Sequence, residues 1–402
     1  MGAYRDRYLL EHTLKLKEKF KSNVFIETGT NDGDSMGILS PHFQELYSCE
    51  IVPATYELAK NNLQHAKNVT VTNESSITFL ETICQKFQGR EDVIFFLDAH
   101  WEKYWPLLDE LKIIKKYGFE CPIIIHDFYI PDGKGNSKFN YDSYEDQNLD
   151  LNYVKNDIYN VFNGKYDIYY PDYVTEPSGY AVFTKQSTPF VSFLVTCHNE
   201  GEQLRSLLTL LSKYITGNEI VVLDDYSDDV VTLNVLKDHE LVNGIKISKH
   251  HLNKDYGSHK NFGTSQCSGK YIFQIDADEL PNEILLENLR DLIESNLSCE
   301  MFWVPRVNNF IGVTSEDIKN YGWRVNEKGY IMWPDYQSRI YKNQPHIKWE
   351  RKLHETIVGF KEFTRIPAME ELSLYHTKTI EKQRKDNSRY MNEFSLEDNI
   401  RK

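Results

Sequence analysis

The sequence predicts an α/β protein made of two successive parallel-sheet domains. Two observations carry this. Apolar runs of strand length alternate with amphipathic helical stretches along most of the 402 residues. The alternation also starts twice, once at Asn23–Thr28 and again at Phe190–Thr196, after a short polar join, Lys185–Pro189. The expected domains are therefore 1–186 and 187–402. A composition of 40% hydrophobic and 26% charged residues suits a globular chain with two cores. No apolar run reaches bilayer-spanning length, and the N-terminus lacks the apolar centre of a signal peptide. Six cysteines without a CxxC pair suggest reduced thiols in a cytoplasmic protein. A formal charge of −14 argues against a nucleic-acid partner.

In the first domain, an opening helix leads to the strand pattern Asn23–Thr28, which breaks into Gly29-Thr30-Asn31-Asp32-Gly33 and then a helix. Strand, glycine turn and helix form the entry of a nucleotide-binding unit, because glycines let a ligand approach the backbone. A second strand, Glu45–Cys49, ends at Glu50, an acid placed to meet a ribose diol. Further strands are expected at Val69–Thr72, at Asp92–Leu97 running into Asp98, and at Pro122–Ile125 running into His126 and Asp127. A closing hairpin is expected at Tyr166–Tyr170 and Tyr180–Thr184. The segment Pro131–Asp150, rich in Gly, Asn, Ser, Asp and Tyr, reads as a cover.

On Glu27-x-Gly29-x-x-x-Gly33, Glu50 and Asp98, residues 20–186 resemble class I S-adenosylmethionine-dependent methyltransferases, a Rossmann-like fold. The resemblance implies S-adenosylmethionine as cofactor, with its methionine part near Glu27, Gly29 and Gly33, its ribose on Glu50 and its adenine near Ser75. Asp98, His100, His126 and Asp127 follow strand ends on one sheet edge. Some O-methyltransferases hold one divalent metal there; contact with cofactor or solvent is the other reading.

In the second domain, strands are expected at Phe190–Thr196, Glu219–Leu223, Ile245–Ser248 and Tyr271–Ile275. The last runs into Asp276-Ala277-Asp278. In an extended chain these two acids share a side and can grip one hard cation; an acidic turn is the plain alternative. The ordered set Thr196-x-x-Asn199-Glu200, Asp224-Asp225-x-Ser227-x-Asp229, Asn261-x-Gly263 and Gly269-Lys270-Tyr271-Ile272-x-x-x-Asp276-Ala277-Asp278 resembles family 2 glycosyltransferases of the GT-A fold. That resemblance implies a nucleotide-diphosphate sugar donor, a glycan acceptor and Mn²⁺ or Mg²⁺. Thr196, Glu200 and Asp225 would surround base and ribose. Lys260 would lie near diphosphate or sugar, and Asp276 and Asp278 would form the metal motif. Tyr226 and His259 depart from the family's usual residues.

Residues 301–350 hold four of the six tryptophans, read as sugar-stacking faces and as core packing in comparable shares. The run Trp333-Pro334-Asp335-Tyr336-Gln337-x-Arg339 before His354-Glu355 resembles the subgroup containing lipopolysaccharide-core glucosyltransferases. It points to Glu355, then Asp335, as general base, either one alternatively a partner of Arg339, itself a substrate-site candidate. His376 would join the metal shell or touch the diphosphate; a surface histidine at a helix start is the alternative. The implied function is bifunctional: sugar transfer, with methylation of a sugar hydroxyl by the first domain. The alternatives are a first domain that only binds, or an acceptor that is a modified DNA base or a protein.

Overall fold

The computed structural model describes residues 2–100, 104–132, 136–171, 173 and 178–399. The chain divides into two compact units, Met1–Ser187 and Thr188–Lys402.

In the first unit, β1 (Val24–Thr28), β2 (Glu45–Cys49), β3 (Val69–Thr72), β4 (Val93–Leu97) and β5 (Ile123–His126) are joined by helices. A two-strand ribbon, β6 (Ser143–Tyr144) and β7 (Gln147–Asn148), precedes the closing pair β8 (Tyr166–Tyr169) and β9 (Tyr180–Lys185). The sheet order is β3-β2-β1-β4-β5-β9-β8, parallel except for β9, which runs antiparallel to both its neighbours, β5 and β8. The central strands are apolar throughout because both faces are covered. Val24, Ile26, Val93, Phe95, Ile123 and Ile125 enter one core, while Phe25, Ile94, Phe96 and Ile124 enter the other. Alternate side chains thus feed opposite cores.

The second unit repeats the scheme. Its strands are β10 (Val191–Cys197), β11 (Glu219–Asp224), β12 (Lys246–Lys249), β13 (Tyr271–Asp276), β14 (Glu279–Pro281), β15 (Met301–Val304), β16 (Arg306–Ile311), β17 (Gln337–Lys342), β18 (Lys348–Glu350), β19 (Thr356–Val358), β20 (Phe363–Arg365) and β21 (Leu374–Thr379). The main sheet runs β12-β11-β10-β13-β17-β15-β20, with β12, β11, β10 and β13 parallel and β17 antiparallel to β13. Val191, Phe193, Val195, Phe273 and Ile275 face one core; Leu194, Ile272, Met301 and Tyr341 face the other.

Both sheets reverse their strand order beside the first strand of the unit: β1 against β4, and β10 against β13. A reversal leaves a crevice beyond the carboxyl ends, where ligands of open α/β sheets sit. At the first reversal Thr28 pairs with Leu97, so Gly29 and Asp98 leave side by side. At the second, Thr196 pairs with Asp276. A small sheet, β14-β21-β16, stands beside the second reversal and sets Glu279 opposite His376 and His376 opposite Asn308.

The expected strands are present, with ends displaced by a residue at most. The differences lie at polar ends. Strand β13 stops at Asp276, and Ala277 and Asp278 form a turn, so the extended alternation that put both acids on one side does not apply. His376 stands within β21 and is 7% exposed, in place of a surface position at a helix start. The expected cover Pro131–Asp150 folds over Phe139 and Leu149, both buried, and its residues 133–135 lie outside the described residues. Among the described residues no helix is long and apolar enough to cross a membrane.

Candidate functional site

At the reversal in the second unit, ion pairs and hydrogen bonds link β10, β13, β14, β16, β17 and the helix Tyr256–Ser265 into one network. Arg339, on β17 and 4% exposed, donates from Nη2 to Asp276 Oδ2 at 2.7 Å and to Glu279 Oε1 at 2.6 Å, and from Nη1 to Gln274 Oε1. Arg306 donates to the same Glu279 oxygen at 2.9 Å and from two nitrogens to Asp335 Oδ2 at 3.1 and 2.6 Å. Asp276 Oδ1 also accepts from Thr196 Oγ1 and Gln274 Nε2, both at 2.8 Å. Burial opposes ionisation of Asp276, but the Arg339 and Lys260 charges overcome it and hold the carboxyl well below the usual range.

Lys260 owes its place to small residues on its helix face. A Cβ on Gly257 would come within 2.6 Å of Arg351 O, and one on Gly263 within 2.9 Å of Leu194 and Leu223. The glycines let the helix lie against the sheet, and the lysine between them is 3% exposed. Its ammonium meets Glu355 Oε1 at 2.6 Å, Asp276 Oδ1 at 3.5 Å and the Trp349 ring at 4.7 Å from the centroid. Glu355 lies in the turn between β18 and β19. Burial pushes its carboxyl up, and Lys260 more than offsets that, leaving it below its ordinary value.

Asp278 takes a separate set of partners. His376 Nε2 is 3.5 Å from its Oδ2, and Lys382 Nζ is 3.3 Å from the same atom. Thr379 caps the helix Ile380–Glu393 through the Lys382 amide and so fixes where that lysine starts. Asn308 Nδ2 donates to Asp335 Oδ2 at 2.9 Å, a partner that only accepts, so the amide oxygen faces His376 Nδ1, also at 2.9 Å. Nδ1 therefore carries a hydrogen, and the other ring nitrogen is turned to Asp278.

Glu200 follows β10; its Oε2 accepts from the His198 amide. Burial pushes its carboxyl up to about 7, the His198 amide opposing and the Asp278 charge adding. Asp225 follows β11 and accepts from the Leu252 amide at 2.9 Å. Beside it the Tyr226 and His251 rings stack at 3.9 Å and 17°. His259 is buried and pushed down to about 4 by burial, its Nδ1 3.1 Å from that of His250.

Thus Thr196, Lys260, Asp276, Arg339 and Glu355 share one network, and Asp278 and His376 form a pair next to it. Asp335 departs from expectation: its partners include Arg306, Asn308 and Gln337. This answers to the structural alternative, with Arg306 in place of Arg339. Trp349 is 3% exposed and donates to Tyr341, so it packs in the core instead of offering a sugar face. Sequence reading missed Glu279, Arg306, Asn308 and Lys382. Gln274, a lone amide within an apolar strand, was the one visible signal.

In the first unit, Gly29 has φ +83°, and a Cβ there would lie 2.9 Å from Asp98 O. Glu27 is 1% exposed beneath the turn and accepts from Ser48 at 2.7 Å and Thr30 at 3.2 Å. Glu50 accepts from the Asn31 and Val52 amides at 3.0 and 2.9 Å. Gly33, φ +84°, starts the next helix, and Ser75 caps the helix Ser76–Lys86 through the Thr78 amide. His126 Nδ1 lies 3.1 Å from Asp98 Oδ1 and 3.4 Å from Asp127 Oδ1.

Residues 192–357 match the family described as Glycosyl transferase family 2, so the second unit carries a domain of that family. An uncharacterized glycosyltransferase of Haemophilus influenzae is 26% identical over 112 residues, 28% of this chain and 35% of that protein. The poly(ribitol-phosphate) beta-N-acetylglucosaminyltransferase TarP of Staphylococcus aureus is 32% identical over 113 residues, 27% of this chain and 34% of that one. The chain thus spans about a third of the length of the curated relatives it matches. Among solved structures, S. aureus TarS 1–349 in complex with UDP-GlcNAc is 19% identical, with a TM-score of 0.36 over 47% of this chain and 58% of that one. The methyltransferase domain of bacterial CtHen1 is 14% identical, with a TM-score of 0.32 over 46% of this chain and all of that one (100%).

Burial raises the Glu27 carboxyl from its ordinary 4.5 to about 8, the Ser48 hydroxyl opposing. A group whose folded value is raised contributes stability below its unfolded value and loses it as pH climbs through the folded one. The native chain should therefore lose stability relative to Glu27→Gln between about pH 4.5 and 8. Thermal unfolding of both across that window measures it; a difference that stays constant with pH would contradict the assignment.

Proposed function

We propose that the second unit transfers a sugar from a nucleotide-diphosphate donor to a hydroxyl of a glycan acceptor, with a divalent cation and with inversion at the anomeric carbon. The carrying observation is the division of labour between the two acids of Asp276-Ala277-Asp278. Asp276 is held by Arg339, Lys260, Thr196 and Gln274. Asp278 faces His376 Nε2, the ring nitrogen that the Nδ1 contact with Asn308 leaves to take a cation. Two electron-rich groups in that relation fit a hard or borderline cation between them. Asp278 and His376 would hold Mn²⁺ or Mg²⁺, with Asp276 as the further candidate. When bound, the ion supplies positive charge to the departing diphosphate. The match of residues 192–357 to a glycosyltransferase family supports the same reading.

The chain's own groups then have distinct tasks. Thr196, Glu200 and Asp225 line the strand ends where base and ribose would lie, and the exposed Tyr226–His251 stack offers a further face. Arg339 and Lys260 are positioning residues: they fix Asp276, and Lys260 also keeps Glu355 ionised. An ionised Glu355 at the cleft edge can take the proton of the acceptor hydroxyl as it attacks. Lys382, from the helix Ile380–Glu393, adds a cation next to Asp278.

Donor hydrolysis with added Mn²⁺ tests this. Asp278→Ala should lower turnover by about 10²-fold or more, and Glu355→Gln should lower transfer to an acceptor by about 10²–10⁴-fold while donor binding persists. Equal turnover of native chain and Asp278→Ala would defeat the metal assignment.

A second reading concerns the first unit: transfer of a methyl group from S-adenosylmethionine to a sugar hydroxyl. The sheet reversal beside the Gly29 turn, with Glu50 at the neighbouring strand end, favours it. Two activities on one chain would share a local concentration of glycan. Calorimetry decides between this and a module that only binds the acceptor: S-adenosylmethionine should bind, and Glu50→Ala should weaken it at least tenfold. No heat in either protein would leave the binding module.

A further inference from the structure

The first unit carries a second cluster of ligating groups, where β4 and β5 end. Asp98, His100, Glu110, His126, Asp127 and Asp142 line one small cleft. We infer that this cleft seats two divalent cations bridged by Asp127, the first held with Asp98 and His126, the second with His100 and Asp142. The methyltransferase resemblance implies one ion at most; the second seat, and the parts of Asp142 and Glu110, come from the fold.

Three observations carry it. The first is geometry. In each of the two trios the ligand atoms lie within 4.8 Å of one another, and Asp127 belongs to both. Around an ion with ligands at about 2.1 Å, adjacent ligand atoms are about 3.0 Å apart and opposite ones about 4.2 Å. His126 Nδ1 stands 3.1 Å from Asp98 Oδ1 and 3.4 Å from Asp127 Oδ1, and His100 Nδ1 stands 3.8 Å from Asp142 Oδ2. A carboxylate has two oxygens and can serve neighbouring ions about 3.5–4 Å apart.

The second is charge. Four of the six groups are carboxylates, and the described lining residues include no lysine or arginine. Positive charge to offset these carboxylates must therefore come from the imidazoles or from bound cations.

The third is an orphaned acceptor. Glu110, on the helix Leu107–Lys116, is fully buried and lines the cleft. Its Oε2 is 3.5 Å from the Thr28 hydroxyl, while its Oε1 has no hydrogen-bond partner. A buried oxygen without a donor is costly unless something positive or a donating water meets it. A metal-bound water on the Asp98 side would supply that donor. Asp142 is brought in from the Pro131–Asp150 segment by its amide, which donates to Asp127 O at 2.8 Å. The mix of carboxylate and imidazole suits Mn²⁺ better than the all-oxygen sets typical of calcium.

The test uses the full chain with Asp278→Asn and His376→Ala, so that the second unit's candidate seat does not contribute. After removal of metal by a chelator, Mn²⁺ is titrated and followed by equilibrium dialysis and electron paramagnetic resonance. Two ions per chain with the exchange-coupled spectrum of a bridged pair are expected. Asp142→Asn should hold one ion with an isolated-ion spectrum, and Asp127→Asn should lose the coupled signal. Should Asp142→Asn lose its native circular dichroism, His100→Ala reads the same loss. One ion or none per chain, or two ions without coupling, overturns the proposal. None of these outcomes depends on methyl transfer.

Discussion

The second unit depends on one buried acid, Glu279, which shares a single oxygen between two arginines. Arg306 and Arg339 both reach Glu279 Oε1, and each holds a further carboxylate, Asp335 and Asp276. Removing one member of such a set leaves an uncompensated charge in the interior and costs about 3–5 kcal/mol. The arrangement also joins strands from two different sheets, since Glu279 is on β14, Arg306 on β16 and Arg339 on β17. The site is thus braced by ion pairing across elements distant in sequence.

That bracing explains why the two acids at the end of β13 differ in chemistry. Asp276 still belongs to the strand, so it pairs with Thr196 across the reversal and its carboxylate meets Arg339 on the antiparallel β17. Asp278 has passed the turn and meets the small sheet, where Asn308 orients His376. One acid is saturated by fixed positive charge; the other is paired with a group able to share a metal. Lys260 extends the network to Glu355, so the group proposed to accept a proton is held by the same chain of contacts that holds Asp276.

Much of the scaffold was legible in the sequence. Central parallel strands are buried on both faces, so Val93–Leu97 and Tyr271–Ile275 read as unbroken apolar runs, and the acids after them mark the carboxyl edge. Lys260 was legible as a site residue, but its burial was not, because it depends on Gly257 and Gly263 meeting backbone and leucines far along the chain. Arg306 and Glu279 left no signal, since an ion pair between residues 27 apart has no local period. The same-side reading of Asp276 and Asp278 assumed a strand that continues, and the turn at Ala277 ends it. In the first unit, nothing in the sequence singles out Glu110; the fold places it among the residues that line the cleft with Asp98.

The central claim is that Asp278 and His376 seat a cation next to a network that fixes Asp276. Anomalous diffraction at the manganese edge, from crystals of the full chain soaked with Mn²⁺ and a series of nucleoside diphosphates, tests it most directly. The account predicts a peak bonded to Asp278 and His376 Nε2, with Asp276 still on Arg339. Nucleotide bound with no peak between those two residues would contradict it.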